Sequence, residues 1–400
     1  MLALLLLAGT LQAHAQGADH SGGHGGDATR CTSGKPEMAV IACTNIIQDK
    51  REDGEKRAIA LRNRAFHYQQ LGDFNRAIAD YTTALDHPEY GIQGKTYSNR
   101  GLMYFTKGDE DHALADYDKA LALDPKLVST YINRATIFIK RGEDERAIAD
   151  LDQAIQLRPE DAAVYVSRGT IYTRRGDQSR AITDFTKAIE MNPANATAWR
   201  NRSFSYRAQG DKSAAAADAA EAIRLNPSLA AAHLDLGLSV QGPDRTAQAI
   251  AEFDRAIKLN PSDAQAFKAR GDVYLASGDP DRALADFSRA IGLDAKLVSA
   301  YVDRGDAHMT KSDWDSAIAD FGAAIALDPK DAEALRGRGY VRLNRHDVDA
   351  AIADFTAAIK LNPSDALALR FRGAAYAAKK DSRRASLDDA AAAQLNPSMH

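Results

Sequence analysis

Apolar residues recur along this chain at helical spacing, in runs that come in pairs. From Asn99 to Pro125, NRGLMYFTKGDEDHALADYDKALALDP holds two such runs on either side of Lys107-Gly108-Asp109. A glycine-aspartate pair between periodic segments is a turn signal, and each run supports about four helical turns. The segment therefore predicts a hairpin of two antiparallel helices. SRGTIYTRRGDQSRAITDFTKAIEMNP, from Ser167 to Pro193, repeats it with the early glycine, the turn, the alanines, the aromatic and the closing proline at the same offsets.

Such hairpins begin at 94, 128, 162, 196, 230, 264, 298, 332 and 366, always 34 residues apart. A further one begins near Ala58, 36 residues before its neighbour, with the two extra residues in DHPEYGIQGK. Ten repeats thus cover about 58 to 399. Alanine occupies one second-helix position from Ala77 to Ala385 and another, seven residues on, from Ala84 to Ala392, without exception. Gly, Ala or Ser recurs in the first helix, as at Gly101, Ala135 and Ser203. Small residues let helices approach closely. Large ones at Tyr81, Tyr117, Phe185, Phe253, Phe287, Phe321 and Phe355 read as core, and the prolines at 125, 159, 193, 227, 261, 329, 363 and 397 end the second helix.

An arginine recurs in the first helix with an aspartate sixteen residues later, as in Arg100 and Asp116, Arg134 and Asp150, and Arg168 and Asp184. The sixth repeat loses both together, having Leu236 and Glu252. Joint loss predicts a structural ion pair, within a repeat or across to a neighbour.

Period, small-residue positions, aromatics and closing proline together resemble the tetratricopeptide repeat (TPR) family over more than four-fifths of the chain. The resemblance implies an all-α solenoid, a right-handed superhelix of about ten helical hairpins whose first helices line a concave groove. On that geometry Lys140, Thr173, Arg174, Trp199, Arg200, Arg207 and Lys268 face the groove, with Phe105, Ile132, Ile139, Val166 and Leu275 as apolar company. Clustered arginines and apolar pockets suit an extended or helical acidic peptide. The family's carboxylate clamp needs a lysine and two asparagines on successive first helices; Asn99, Asn133 and Asn201 recur but the lysines do not, which argues against chaperone tails. The implied function is a scaffold of the bacterial cell envelope that binds a protein or peptide, or alternatively an element that self-associates end to end through its terminal repeats.

Composition narrows the alternatives. With a net charge of -4 and no long basic run, the chain carries no footprint for nucleic acid. MLALLLLAGTLQAHA, with an apolar run and Ala13 and Ala15 in an A-x-A arrangement, reads as an export signal over residues 1 to 15, cleaved after Ala15 to leave a periplasmic or secreted protein. Residues 16 to 30 read as a flexible tether containing His20 and His24, and 31 to 57 as a cap in which Pro36 to Ile47 forms a lone second helix. Cys31 and Cys43, the two cysteines of an exported chain, predict a disulfide. No phosphate loop, H-E-x-x-H, G-x-S-x-G or zinc spacing occurs, so no enzyme, metal or cofactor is expected. Ala219 in place of an aromatic, and Gly242-Pro243-Asp244 in place of a turn, predict a softer stretch between about 210 and 245.

Overall fold

A computed structural model describes residues 25 to 396; the expected export signal, its cleavage point, the first part of the tether and Pro397 lie outside the described residues. Residues 25 to 396 form twenty-two α-helices, from α1 (Gly25–Ser33) to α22 (Ser382–Leu395). The chain divides into two units, Met1–Met191 and Asn192–His400. Each is a stack in which helices adjacent in sequence pack as antiparallel neighbours.

The amino-terminal end departs from the sequence reading. The stretch from 25 to 30 is helical, not a flexible tether, and α1 pairs with α2 (Pro36–Gln48), so the cap is a complete hairpin instead of a lone second helix. A disulfide joins Cys31 to Cys43. Both cysteines are buried, and His67 of α3 (Gly54–Gln70) bonds the Cys31 carbonyl through Nε2 at 3.0 Å.

The glycine-aspartate turn does two jobs. Gly108 and Gly176 sit at φ 85° and 78°, where a side chain is disfavoured. The aspartate that follows caps the second helix, as when Asp177 accepts the Arg180 amide N–H at 3.1 Å. The last three repeats put Ser312, His346 and Lys380 at this left-handed position, with φ of 57°, 63° and 61°.

In hairpins that carry a second-helix aromatic, the early small residue lies against it. A Cβ on Gly101 would come within 2.8 Å of the Tyr117 ring, and one on Gly237 within 2.5 Å of Phe253. In two repeats whose large partner is smaller, the small residue is larger. Ala135 faces the repeat holding Leu151, and Ser203 the repeat holding Ala219, where its hydroxyl donates to the Ala215 carbonyl at 2.7 Å.

The recurrent arginine links three helices. Arg134 donates from Nε and a terminal nitrogen to both carboxylate oxygens of Asp150, at 2.8 and 2.7 Å, and from its other terminal nitrogen to Asp118 of the preceding repeat at 2.6 Å. Arg100 makes the same fork to Asp116 and reaches Thr82; Arg168 does so with Asp184 and Asp152. In the carboxyl-terminal unit Arg270 takes Asp286 and Asp254, and Arg372 takes Asp388 and Thr356. The aspartates of the fork are buried. At Leu236 the ladder is replaced, not simply lost: His233 Nδ1 meets Glu252 at 2.6 Å, while Nε2 meets the Pro227 carbonyl at 3.1 Å.

A second ladder crosses the turns. Arg141 reaches Asp111 and Arg175 reaches Glu145; Lys311 pairs with Asp281, Arg345 with Asp315 and Lys379 with Asp349, always thirty residues back. The corresponding positions at Pro243 and Ser277 hold no cation. Helix α13 (Ala230–Ser239) is also cut to ten residues, and a 3₁₀ turn over Pro243–Arg245 replaces the usual turn. The turn ladder therefore has no cation to carry it at this position.

Two outcomes are expected. Lys380→Gly, which relieves an unfavourable φ at some cost in unfolded-chain entropy, raises stability by roughly 0.5 to 1 kcal/mol in urea denaturation, with His346→Gly behaving alike. Amides of α13 exchange with deuterium about tenfold faster than those of α17 (Val298–Thr310); equal protection would remove the soft stretch.

Candidate functional site

First helices in the carboxyl-terminal unit touch one another one repeat apart: α11 (Ala196–Ala208) meets α13, α15 (Ala264–Ala276) meets α17, and α17 meets α19 (Ala332–Asn344). Side chains leaving this side carry charge into half-buried positions. Arg200 donates from Nε to Asp235 at 2.6 Å, and a terminal nitrogen of Arg207 lies 3.8 Å from the same carboxylate. Asp235 is only 2% exposed. Burial pushes its carboxyl above the ordinary value, against the pull of both arginines. The Arg207 Nε is buried with no acceptor among the described residues, and its guanidinium lies 5.1 Å from the centre of the Phe204 ring.

Lys268 bonds Asp272 at 2.9 Å within α15 and pairs with Asp303 of α17 at 2.8 Å. Burial works against the ammonium, but the two carboxylates carry it above its usual value; Asp272 in turn is raised, chiefly by burial. Asp306 has no such support. Half-buried, and with no hydrogen bond or ion pair to its carboxylate among the described residues, it is pushed up to about 6 by burial and by the charges of Asp303 and Glu333. Arg336 attracts it from a distance but is already bonded to Asp365 at 2.8 Å and Glu333 at 3.1 Å.

The remaining groove candidates are occupied by this chain's own groups. Lys140 pairs with Glu110 and Arg174 with Asp144, both at the edges of turns in the amino-terminal unit. Trp199 donates its indole N–H to the Pro193 carbonyl at 2.9 Å, and its ring lies 4.8 Å from the guanidinium of Arg202, a member of the arginine ladder. The cations singled out by sequence therefore do not form a free basic stripe. Each meets a carboxylate, and the residues missed are those carboxylates together with Asp306. The signal existed: Arg200 to Asp235 and Lys268 to Asp303 are each thirty-five residues apart, one more than the period, which reaches the next first helix.

No group of three or more His, Cys, Asp or Glu among the described residues is arranged to hold a metal ion. Nor is any described helix long and apolar enough to cross a membrane.

Comparison with known proteins bears on the repeat. Family models described as tetratricopeptide repeat match residues 94–127, 174–230, 234–297 and 305–376, and one described as TPR repeat matches 135–174. No curated protein sequence matches the chain. Among solved structures, the Cut9-Hcn1 hetero-tetramer of the APC/C aligns at 18% identity and a TM-score of 0.55, over 85% of this chain and 83% of that one. A tetratricopeptide repeat protein from Parabacteroides merdae ATCC 43184 aligns at 20% identity and 0.48, over 63% and 98%. YrrB, described as a TPR protein with an unusual peptide-binding site, aligns at 26% and 0.39, over 49% and 97%. With matches to one repeat type over more than half of its length and a shared all-α fold, the chain belongs to the tetratricopeptide repeat family.

Proposed function

We propose that this chain is a non-catalytic scaffold of a bacterial cell envelope, holding a protein or peptide partner against the first helices of its carboxyl-terminal unit. The observation that carries this reading is the half-buried Asp306 carboxylate, which has no ion pair among the described residues although Arg200, Arg207, Lys268 and Arg336 on the same row of first helices each meet a carboxylate. Perturbed groups collect at working sites because their arrangement costs stability. A partner supplies what is missing: a lysine or arginine beside Asp306, and a carboxylate within reach of the Arg207 N–H groups. Half-buried Phe204, Leu275 and Tyr340 lie on the same helices for apolar side chains. The preferred segment accordingly carries both signs of charge, in place of the acidic peptide suggested by counting arginines.

Location in an oxidising compartment is supported by the disulfide between Cys31 and Cys43 and by the apolar run with Ala13 and Ala15 at the start of the sequence. Self-association through the ends is a second reading. It is favoured by Met38 and Ile41 of α2, 54% and 56% exposed, and Leu387 of α22, 62% exposed.

Arg200→Glu or Arg207→Glu would test the surface poorly, since either strips a buried carboxylate of its counter-charge. Asp306→Asn is the cleaner change. A carboxyl whose folded value is raised binds its proton more tightly in the native state, so stability falls as pH rises from about 4 through about 6. The variant is therefore expected to match the wild type at pH 4 and to exceed it by roughly 1 kcal/mol at pH 7.5 in urea denaturation. It should also capture less partner from an envelope extract of the source organism; undiminished capture by the more stable variant would overturn the reading, and recovery of the chain alone would favour self-association. For location, the peptide carrying Cys31 and Cys43, taken from cells without reductant, is expected two hydrogens lighter than its reduced form. Two alkylatable thiols would place the chain in a reducing compartment.

A further inference from the structure

Helix α1, GGDATRCTS, is a poor helix by its own sequence. Two glycines open it, two threonines follow, and its nine residues fall short of the roughly 12 to 15 at which an isolated helix is even marginal in water. Packing does little to make up the deficit. From Gly26 to Ser33, Cys31 is the only buried residue; Asp27 is half-buried and the other positions are exposed. A surface helix ordinarily buries a whole stripe, as α2 does with Ala39, Ala42, Cys43 and Ile46. Burying one cysteine side chain does not offset the backbone freedom that nine residues lose.

The disulfide from Cys31 to Cys43 of α2 is therefore the strong tie. Asn45 of α2 donates its side-chain amide to Asp27 at 3.0 Å, but this is an exposed bond of small net worth in water. His67 of α3 meets the Cys31 carbonyl at 3.0 Å, a contact that exists only while Cys31 is held in place. Cys31 carries α1, and the covalent bond carries Cys31.

We propose that this disulfide is a redox latch on the amino-terminal end of the stack: oxidised, it pins α1 over α2; reduced, it lets α1 leave and bares the Cys43 side of α2. Reduction by a dithiol breaks the Sγ–Sγ bond and delivers two electrons and two protons, leaving two cysteine thiols and the reductant as its own disulfide. Two thiols in place of the bond keep only a van der Waals contact. With α1 gone, Ala42, Cys43 and Ile46 lose the cover that Cys31 gives them in the cluster they share with Ala60 of α3. Helix α2 stays, because its packing on α3 does not pass through the disulfide. The apolar surface so uncovered lies on the same helix as Met38 and Ile41, which are exposed already. This end of the chain is closed under oxidising conditions and open under reducing ones. The latch rests neither on the partner surface nor on the compartment proposed above.

The test follows hydrogen exchange by mass spectrometry in the full chain when oxidised, when reduced by excess dithiothreitol, and in the double variant Cys31→Ala with Cys43→Ala, which needs no reductant. The Gly34 amide, bonded to the Arg30 carbonyl at 2.8 Å in the closed cap, and the amides of α1 before it are expected to exchange tenfold or more faster in the reduced chain and in the variant. Amides from α5 (Gln93–Thr106) to α22 are expected to change less than twofold. Iodoacetamide is expected to modify Cys43, fully buried in the closed cap, in the reduced chain without denaturant. Equal exchange of α1 in all three forms would overturn the latch. So would loss of protection throughout the stack, which would make the bond a support of the whole fold.

Discussion

The stack rests on one guanidinium geometry. A planar fork gives two parallel N–H groups to the aspartate of its own second helix and turns a third toward the second helix before it. Net of desolvation, such a buried pair adds little compared with a well-packed apolar substitute. Breaking it is another matter, because removing the arginine strands a buried carboxylate at a cost of about 3 to 5 kcal/mol. The pair therefore acts mainly on register: a first helix displaced along its own second helix would leave both charges without partners, and a hairpin displaced along its neighbour would lose the third bond. Repeats with apolar contacts alone have no such penalty for sliding, and alanine-rich second helices present nearly uniform faces on which to slide.

How far the sequence foretold this differs from one residue to the next. The fork to Asp116, Asp150 and Asp184 was legible because both partners recur as one residue type at one offset and vanish together at Leu236 and Glu252. The link to the preceding helix was not. Its acceptors are Thr82, Asp118, Asp152, Asp254, Ser288 and Thr356, three residue types that share an oxygen within reach, so no single type marks the position. His233 was hidden for the opposite reason. It occurs at its position once, and its meaning follows only from the contact with Glu252. Gly101 against Tyr117, and Ser203 in the repeat of Ala219, were half legible: the small and large positions stood out, but not that they trade volume across a single contact.

The face read as basic shows where counting charges fails. Arg200, Arg207 and Lys268 are cations in the sequence, yet in the fold they are parts of matched clusters, since the first helix of the next repeat supplies Asp235 and Asp303. The potential of a repeat surface depends on which neighbour a long side chain can reach, and a one-residue offset from the period decides it. What remains informative after matching is the residue left over. By that measure Asp306, absent from the sequence reading, carries more weight than any of the arginines.

Asp306 is an exception to the matching of charges along these first helices. Natural chains match local choices to the global fold, and breaches of that consistency collect where function outweighs stability. Asp306 lies in an unbroken run of 34-residue repeats, where nothing in the spacing forces an unmatched charge and a change to a neutral residue would be tolerated by the packing. Drift readily explains a lone charge on an exposed surface, where it costs almost nothing. It explains poorly a carboxylate held half-buried among other carboxylates, because that carries a standing penalty that a single substitution would relieve.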